Sequence, residues 1–237
     1  MFNRSQVLLS LKEGAVSGLP IVVGYFPVAM AFGLLAKNTN ISLQDSSLFS
    51  LIVFAGASQF MALDLINAGI TMGNIILATF LLNLRHLMMS ASLSVRLQAI
   101  KRHWLLFIAF GITDETFSVS SLGDKTLNTP FLLALHGVSY SSWVLGTIFG
   151  YLVGTILPPS IQSSLGIGLY AMFMALLVPE LRKSSQILIL SLFCGVLYAG
   201  ISYFKLIPDS WSLIVVIIAA SGIGALVLKD EVLEVAA

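Results

Sequence analysis

Charge is scarce in this chain, and the scarcity sets its class. Only 10% of the 237 residues are Asp, Glu, Lys or Arg, and 57% are hydrophobic. Soluble domains carry roughly 25% charged residues, so with a mean hydropathy of +0.98 the chain reads as an integral membrane protein. A formal net charge of +1 excludes the basic footprint of nucleic-acid binding. Cysteine is nearly absent. Cys194 is alone, which excludes an intramolecular disulfide and a thiolate metal site and leaves a small buried hydrophobe. His86, His103 and His136 are scattered and match no zinc-ligand spacing. There is no His-Glu-x-x-His and no serine elbow, so an intramembrane hydrolase built on Asp64 and Asp114 is the weakest reading. No metal and no cofactor are expected. Residues Met1 to Ser17 lack a cleavable signal pattern and read as an amphipathic lead-in.

What is present is a series of apolar runs. Eight can be marked, at about 16–36, 48–70, 73–95, 104–122, 131–157, 161–179, 186–204 and 211–228. Each reaches or approaches the roughly 20 residues that span a bilayer. The expected fold is an all-α polytopic membrane protein forming one transport domain over 1–237. Gly18, Pro20, Gly24, Pro27 and Gly33 predict a kinked or interrupted first helix. An offset of 113 aligns Gly24 with Gly137, Gly33 with Gly146, and Phe60-Met61-Ala62-Leu63 with Phe173-Met174-Ala175-Leu176. That suggests repeat halves at 16–122 and 131–228.

Cation placement bears on topology. If all eight runs span, six cations fall inside (Arg4, Lys12, Lys125, Arg182, Lys183, Lys229) and five outside (Lys37, Arg96, Lys101, Arg102, Lys205). If the second and sixth runs are broken and re-entrant, Arg96, Lys101 and Arg102 move inside and Lys125 moves out. The balance becomes eight against three, and the two halves are inverted, as in many transporters.

The chemistry concentrates in the third and fourth runs. Arg85 sits mid-run in Asn83-Leu84-Arg85-His86, too deep to snorkel, and needs a counter-charge. Asn83, His86 and Ser90 share one helix face with Arg85 and Ser92 roughly opposite, which predicts an enclosed helix. Thr113-Asp114-Glu115 lies at comparable depth in the fourth run, so Arg85 is expected to pair with Asp114 or Glu115. The acid left over is suited to carrying a proton or binding an ammonium group. His86 can also change charge near neutral pH. Gly56-Ala57-Ser58-Gln59 interrupts the second run with small and amide residues that permit backbone opening beside a ligand.

Several blocks resemble one family. Gly24-Tyr25-Phe26-Pro27, Phe54-Ala55-Gly56-Ala57-Ser58-Gln59-Phe60, Asn83-Leu84-Arg85-His86, Thr113-Asp114-Glu115-Thr116-Phe117 and Ala171-Met172-Phe173-Met174-Ala175-Leu176-Leu177 are similar, in order, to the AzlC family of branched-chain amino acid exporters. The resemblance implies a multi-pass protein of the inner (cytoplasmic) membrane that exports valine, leucine, isoleucine and methionine, working with a small AzlD-type membrane subunit. For such a zwitterionic substrate, Arg85, Asn83 or the opened backbone at Gly56, Ser58 and Gln59 would take the carboxylate, and Asp114 or Glu115 the ammonium. Phe60 and Met61 would line the side-chain pocket, and His86, Asp114 or Glu115 would couple protons. A channel or a scaffold subunit without carrier activity is the alternative.

Overall fold

The computed structural model describes residues 4–98, 100–121, 127–158 and 185–205, with isolated residues and short pieces between 160 and 224. Most of the sixth and eighth apolar runs, including most of the second Phe-Met-Ala-Leu copy, lies outside the described residues. Among the described residues the protein is helical and has no strand. The helices are α1 (Arg4–Asn38), α2 (Leu43–Ile52), α3 (Gly56–Asn67), α4 (Met72–Ser94), α5 (Arg102–Phe110), α6 (Asp114–Ser121), α7 (Thr129–Val153) and α8 (Ser185–Phe204). Short 3₁₀ turns follow α4 at Val95–Leu97 and α7 at Gly154–Ile156. The chain forms two compact units, Met1–Asp64 with Asn83–Tyr170, and Leu65–Leu82 with Ala171–Ala237.

Helices α1 and α7 are the core of the first unit. In a membrane, lipid removes the hydrophobic drive between helices, so close van der Waals approach at small residues takes its place. A Cβ on Gly33 would fall on the Thr147 carbonyl and the Tyr151 amide, and one on Gly150 on the Met30 carbonyl. Around these contacts Tyr25, Val28 and Phe32 of α1 and Leu132, Leu135 and Trp143 of α7 are buried. Asn128 caps α7 by accepting the Phe131 amide at 2.9 Å, and Pro130 sits in the first turn, where its missing N–H costs nothing.

Of the expected kink or interruption in the first helix, the interruption is absent. Pro20 and Pro27 lie inside one continuous helix. Packing along α7 supports it, and the Ser142 hydroxyl donates to the Val22 carbonyl at 3.0 Å in the turn before Pro27.

Among the described residues, four helical stretches are long and apolar enough to cross a membrane: Arg4–Asn38, Met72–Leu97, Thr129–Ile156 and Ser185–Phe204. The second and fourth apolar runs are instead helix pairs. The second breaks at residues 53–55 between α2 and α3, the fourth at 111–113 between α5 and α6. Non-helical backbone at membrane depth survives only where protein encloses it. Accordingly Phe54 and Ala55 at one break, and Ile112 and Thr113 at the other, are buried.

Helix α4 is not enclosed. Arg85, His86 and Asn83 occupy one partly covered arc together with buried Leu93, while Leu84, Leu87, Met88 and Ser92 face outward. At 100° per residue, Arg85 and Asn83 mark the two edges of the covered arc rather than opposite sides of the helix. Each edge reaches a different neighbour, so polar groups that look opposed on a wheel share one packed side.

Candidate functional site

The two breaks and the middle of α4 supply the site, all within the first unit. At the start of α6, Thr113 and Thr116 cap reciprocally. The Thr113 amide donates to Thr116 Oγ1 at 2.8 Å, the Thr116 amide donates to Thr113 Oγ1 at 3.3 Å, and Thr116 Oγ1 also donates to the Gly111 carbonyl at 2.8 Å. Gly111 gives way to the His136 ring, which occupies the space a Cβ would need. Asp114 and Glu115 therefore begin a helix. Carboxylates in a first turn are favoured by the helix dipole.

The two acids have different partners. Arg85 Nη1 meets Asp114 Oδ2 at 2.7 Å, with the two side chains 32% and 29% exposed. Glu115 takes no cation; the Tyr25 hydroxyl donates to Glu115 Oε2 and lies 2.7 Å from Thr113 Oγ1. Tyr25 is buried and packs edge-on against Trp143 at 5.3 Å and Phe54 at 5.9 Å.

At the start of α3 the arrangement is the reverse. No acidic residue occupies its first turn. Ser58 Oγ donates to the Ala55 carbonyl at 2.9 Å and accepts from Asn83 Nδ2 at 3.2 Å. Gly56 lets the Trp143 ring pack directly on the backbone. Gln59 is fully buried and both ends of its amide are used: Oε1 accepts from Trp143 Nε1 at 2.7 Å, and Nε2 donates to Ser50 Oγ at 3.1 Å. Ser50 in turn sits 2.8 Å from Thr147 Oγ1. Phe60 is buried against Phe32, ring centres 5.6 Å apart, and Met61 is half-buried.

Among the described residues, buried polar atoms without a partner include Asn83 Oδ1 and Arg85 Nε. One is an acceptor and the other a donor, the complements of an ammonium and a carboxylate. His86 lies half-buried between them on the same arc of α4. Asp64 is exposed near the end of α3. No group of three or more His, Cys, Asp or Glu side chains suited to a metal occurs among the described residues.

The structure thus brings Ser58, Asn83, Arg85 and Asp114 into a bonded series of pairs and gives Glu115 a separate partner. Sequence reading missed Tyr25, Trp143, Ser50 and Thr147. It also missed the α5–α6 break, although Gly111, then Thr113 three residues before Thr116 with acids between, is a helix-start signature.

Comparison with known proteins agrees with this picture. The family model described as "AzlC protein" matches residues 20–157, which include all of α2, α3, α4, α5, α6 and α7. An "Uncharacterized membrane protein" of Archaeoglobus fulgidus is 40% identical over 173 residues, 72% of this chain and 76% of its own length. The "Inner membrane protein YgaZ" of Escherichia coli is 32% identical over 83% of each chain. The "Branched-chain amino acid transport protein AzlC" of Bacillus subtilis is 22% identical over 78% of this chain and 74% of its own. No solved structure matches. With its broken helices, its Arg85–Asp114 pair and these relatives, the chain belongs to the AzlC family of membrane proteins.

Proposed function

We propose that this protein is a secondary transporter that exports branched-chain amino acids across the cytoplasmic membrane, coupled to protons and assembled with a small AzlD-type subunit. The observation that carries the reading is the division of labour between adjacent acids: Asp114 neutralises Arg85, while among the described residues Glu115 has only neutral partners, the Tyr25 hydroxyl first among them. A substrate carboxylate can compete with Asp114 for Arg85, whose Nε is unused, and the ammonium can take Asn83 Oδ1 and the released Asp114. The α3 start, free of acids, adds unpaired first-turn N–H groups and a positive dipole end. Glu115 can then gain or lose a proton without breaking the ion pair. His86, beside Arg85, is the second candidate for proton coupling.

An architecture of eight runs in two inverted repeats fits the helix starts. At the offset of 113, Met72, the first residue of α4, aligns with Ser185, the first residue of α8 (185 − 72 = 113). Helix α7 aligns with residues 16–40, over the second half of α1.

The test is efflux of preloaded labelled leucine from cells expressing the chain alone and with its small subunit. Wild type is expected to export in a saturable, pH-dependent manner, Arg85→Ala and Asp114→Asn to fall to background per amount of protein in the membrane, and Glu115→Gln to lose pH dependence. Leucine efflux at background in every combination overturns the reading. Non-saturable passive flux identifies a channel instead.

A further inference from the structure

We propose that the start of α5 is a binding site for an anionic phospholipid, with the headgroup phosphate on Lys101 and Arg102 and the acyl chains along the outer face of α5. Lys101, Arg102 and His103 are consecutive and exposed. Three other cations of the same unit are engaged within the protein. Lys37 donates to Thr155 Oγ1 and lies over the Tyr151 ring, Arg85 pairs with Asp114, and Arg96 donates to the Ser120 and Ser121 carbonyls. The side chains of Lys101, Arg102 and His103, by contrast, make no hydrogen bond and no ion pair among the described residues, although the Lys101 carbonyl accepts from the Trp104 amide. No acid occurs in Arg102–Phe110 to offset them.

The shape next to this charge suits a lipid rather than a soluble anion. Arg102 and His103 border a surface cavity of about 700 Å³ whose other walls are Leu105, Leu106 and Ala109. Through Leu106 it adjoins a second cavity of about 590 Å³ walled mainly by Phe107, Phe110, Leu133 and Tyr140. Leu106 and Phe107 are 78% and 63% exposed, so the polar end opens onto a strongly apolar furrow. Trp104 stacks beside His103 at 5.3 Å, where an amphipathic ring belongs at headgroup level. The nine residues of α5 rise about 13 Å, so the furrow descends from the interface well into the hydrocarbon. Cationic clusters beside membrane helices select anionic headgroups. A neutral zwitterionic lipid would gain the furrow without satisfying the cations.

The test is native mass spectrometry of the purified full chain in detergent, offered phosphatidylglycerol or phosphatidylcholine with identical acyl chains. Wild type is expected to retain phosphatidylglycerol preferentially. At roughly five-fold per cation, K101Q/R102Q/H103Q should lower that preference by roughly 25-fold. The control K12Q/K205Q, which removes two exposed positive charges elsewhere, should keep it. Ala109→Trp, placed on an exposed position to fill the furrow, should lower retention with all three headgroup side chains intact. Equal retention of both lipids by wild type overturns the proposal. So does a triple variant that keeps the preference, or a control that loses as much. Each variant is first shown to elute as wild type on size exclusion with an unchanged helical spectrum. Leucine transport is not the readout, so failure of the transport reading leaves this result interpretable.

Discussion

At the scale of single residues, the site is a set of commitments that leaves two atoms and one carboxyl group free for chemistry. Arg85 and Asp114 hold each other at 2.7 Å, and removing either leaves a charge that costs about 3 kcal/mol at membrane depth. Exchange of the pair, Arg85→Asp with Asp114→Arg, is therefore expected to restore protein yield relative to either single variant, measured by membrane immunoblot, while leucine efflux stays low because the carboxylate ligand has moved. Tyr25→Phe removes the only hydroxyl bonding Glu115 from α1 but keeps the ring packing on Trp143. It is expected to shift the pH dependence of efflux with little change in Tm. An unchanged profile would detach Glu115 from coupling. Gln59 behaves differently. Its amide is spent on Trp143 and Ser50, so Gln59→Leu should cost about 1–3 kcal/mol for the polar groups left unpaired, read as a lowered Tm in detergent.

At the scale of elements, the pairing of α1 with α7 determines whether the breaks are held. Helices α2, α3, α5 and α6 are 12 residues or shorter and cannot span alone. Their backbone ends are satisfied by the long helices: Tyr140 of α7 donates to the Leu51 carbonyl at the end of α2, and Tyr25 of α1 reaches the start of α6. Gly150→Leu, which pushes into the Met30 backbone, is expected to destabilise by about 1–3 kcal/mol and to reduce transport with it. Gly24→Leu, where a Cβ meets nothing within 4 Å, should be silent in the same thermal assay. If both substitutions behave alike, close approach at Gly150 is not what joins the two helices.

At the scale of the whole molecule, topology is open to a direct measurement, because Cys194 is the sole thiol. In a Cys194→Ala background, single cysteines at positions 12, 37, 102 and 205 can be labelled with an impermeant maleimide from outside intact cells. The re-entrant arrangement expects positions 37 and 205 to label and positions 12 and 102 to be protected. Labelling at 102 would mean that the α2–α3 pair crosses the membrane, and labelling at both 102 and 205 would mean that the sixth run crosses too, returning the cation balance to six against five.

Composition alone determined that this is a helical membrane protein: with 10% charged residues, long apolar runs have no other stable solution than helices that bond their own backbone. The charge at Arg85 within an apolar run and its need for a nearby acid were legible for the same reason, since an unpaired charge in hydrocarbon is too costly to leave. Which acid answers was decided only in three dimensions. Asp114 and Glu115 are adjacent and chemically alike, and the bend at Gly111–Thr113 aims one at α4 and the other at Tyr25. The continuity of α1 through two prolines, and the open side of α4, were likewise settled by packing. Periodicity records which faces are apolar, but in a membrane both lipid and protein satisfy an apolar face, so only tertiary contact tells them apart.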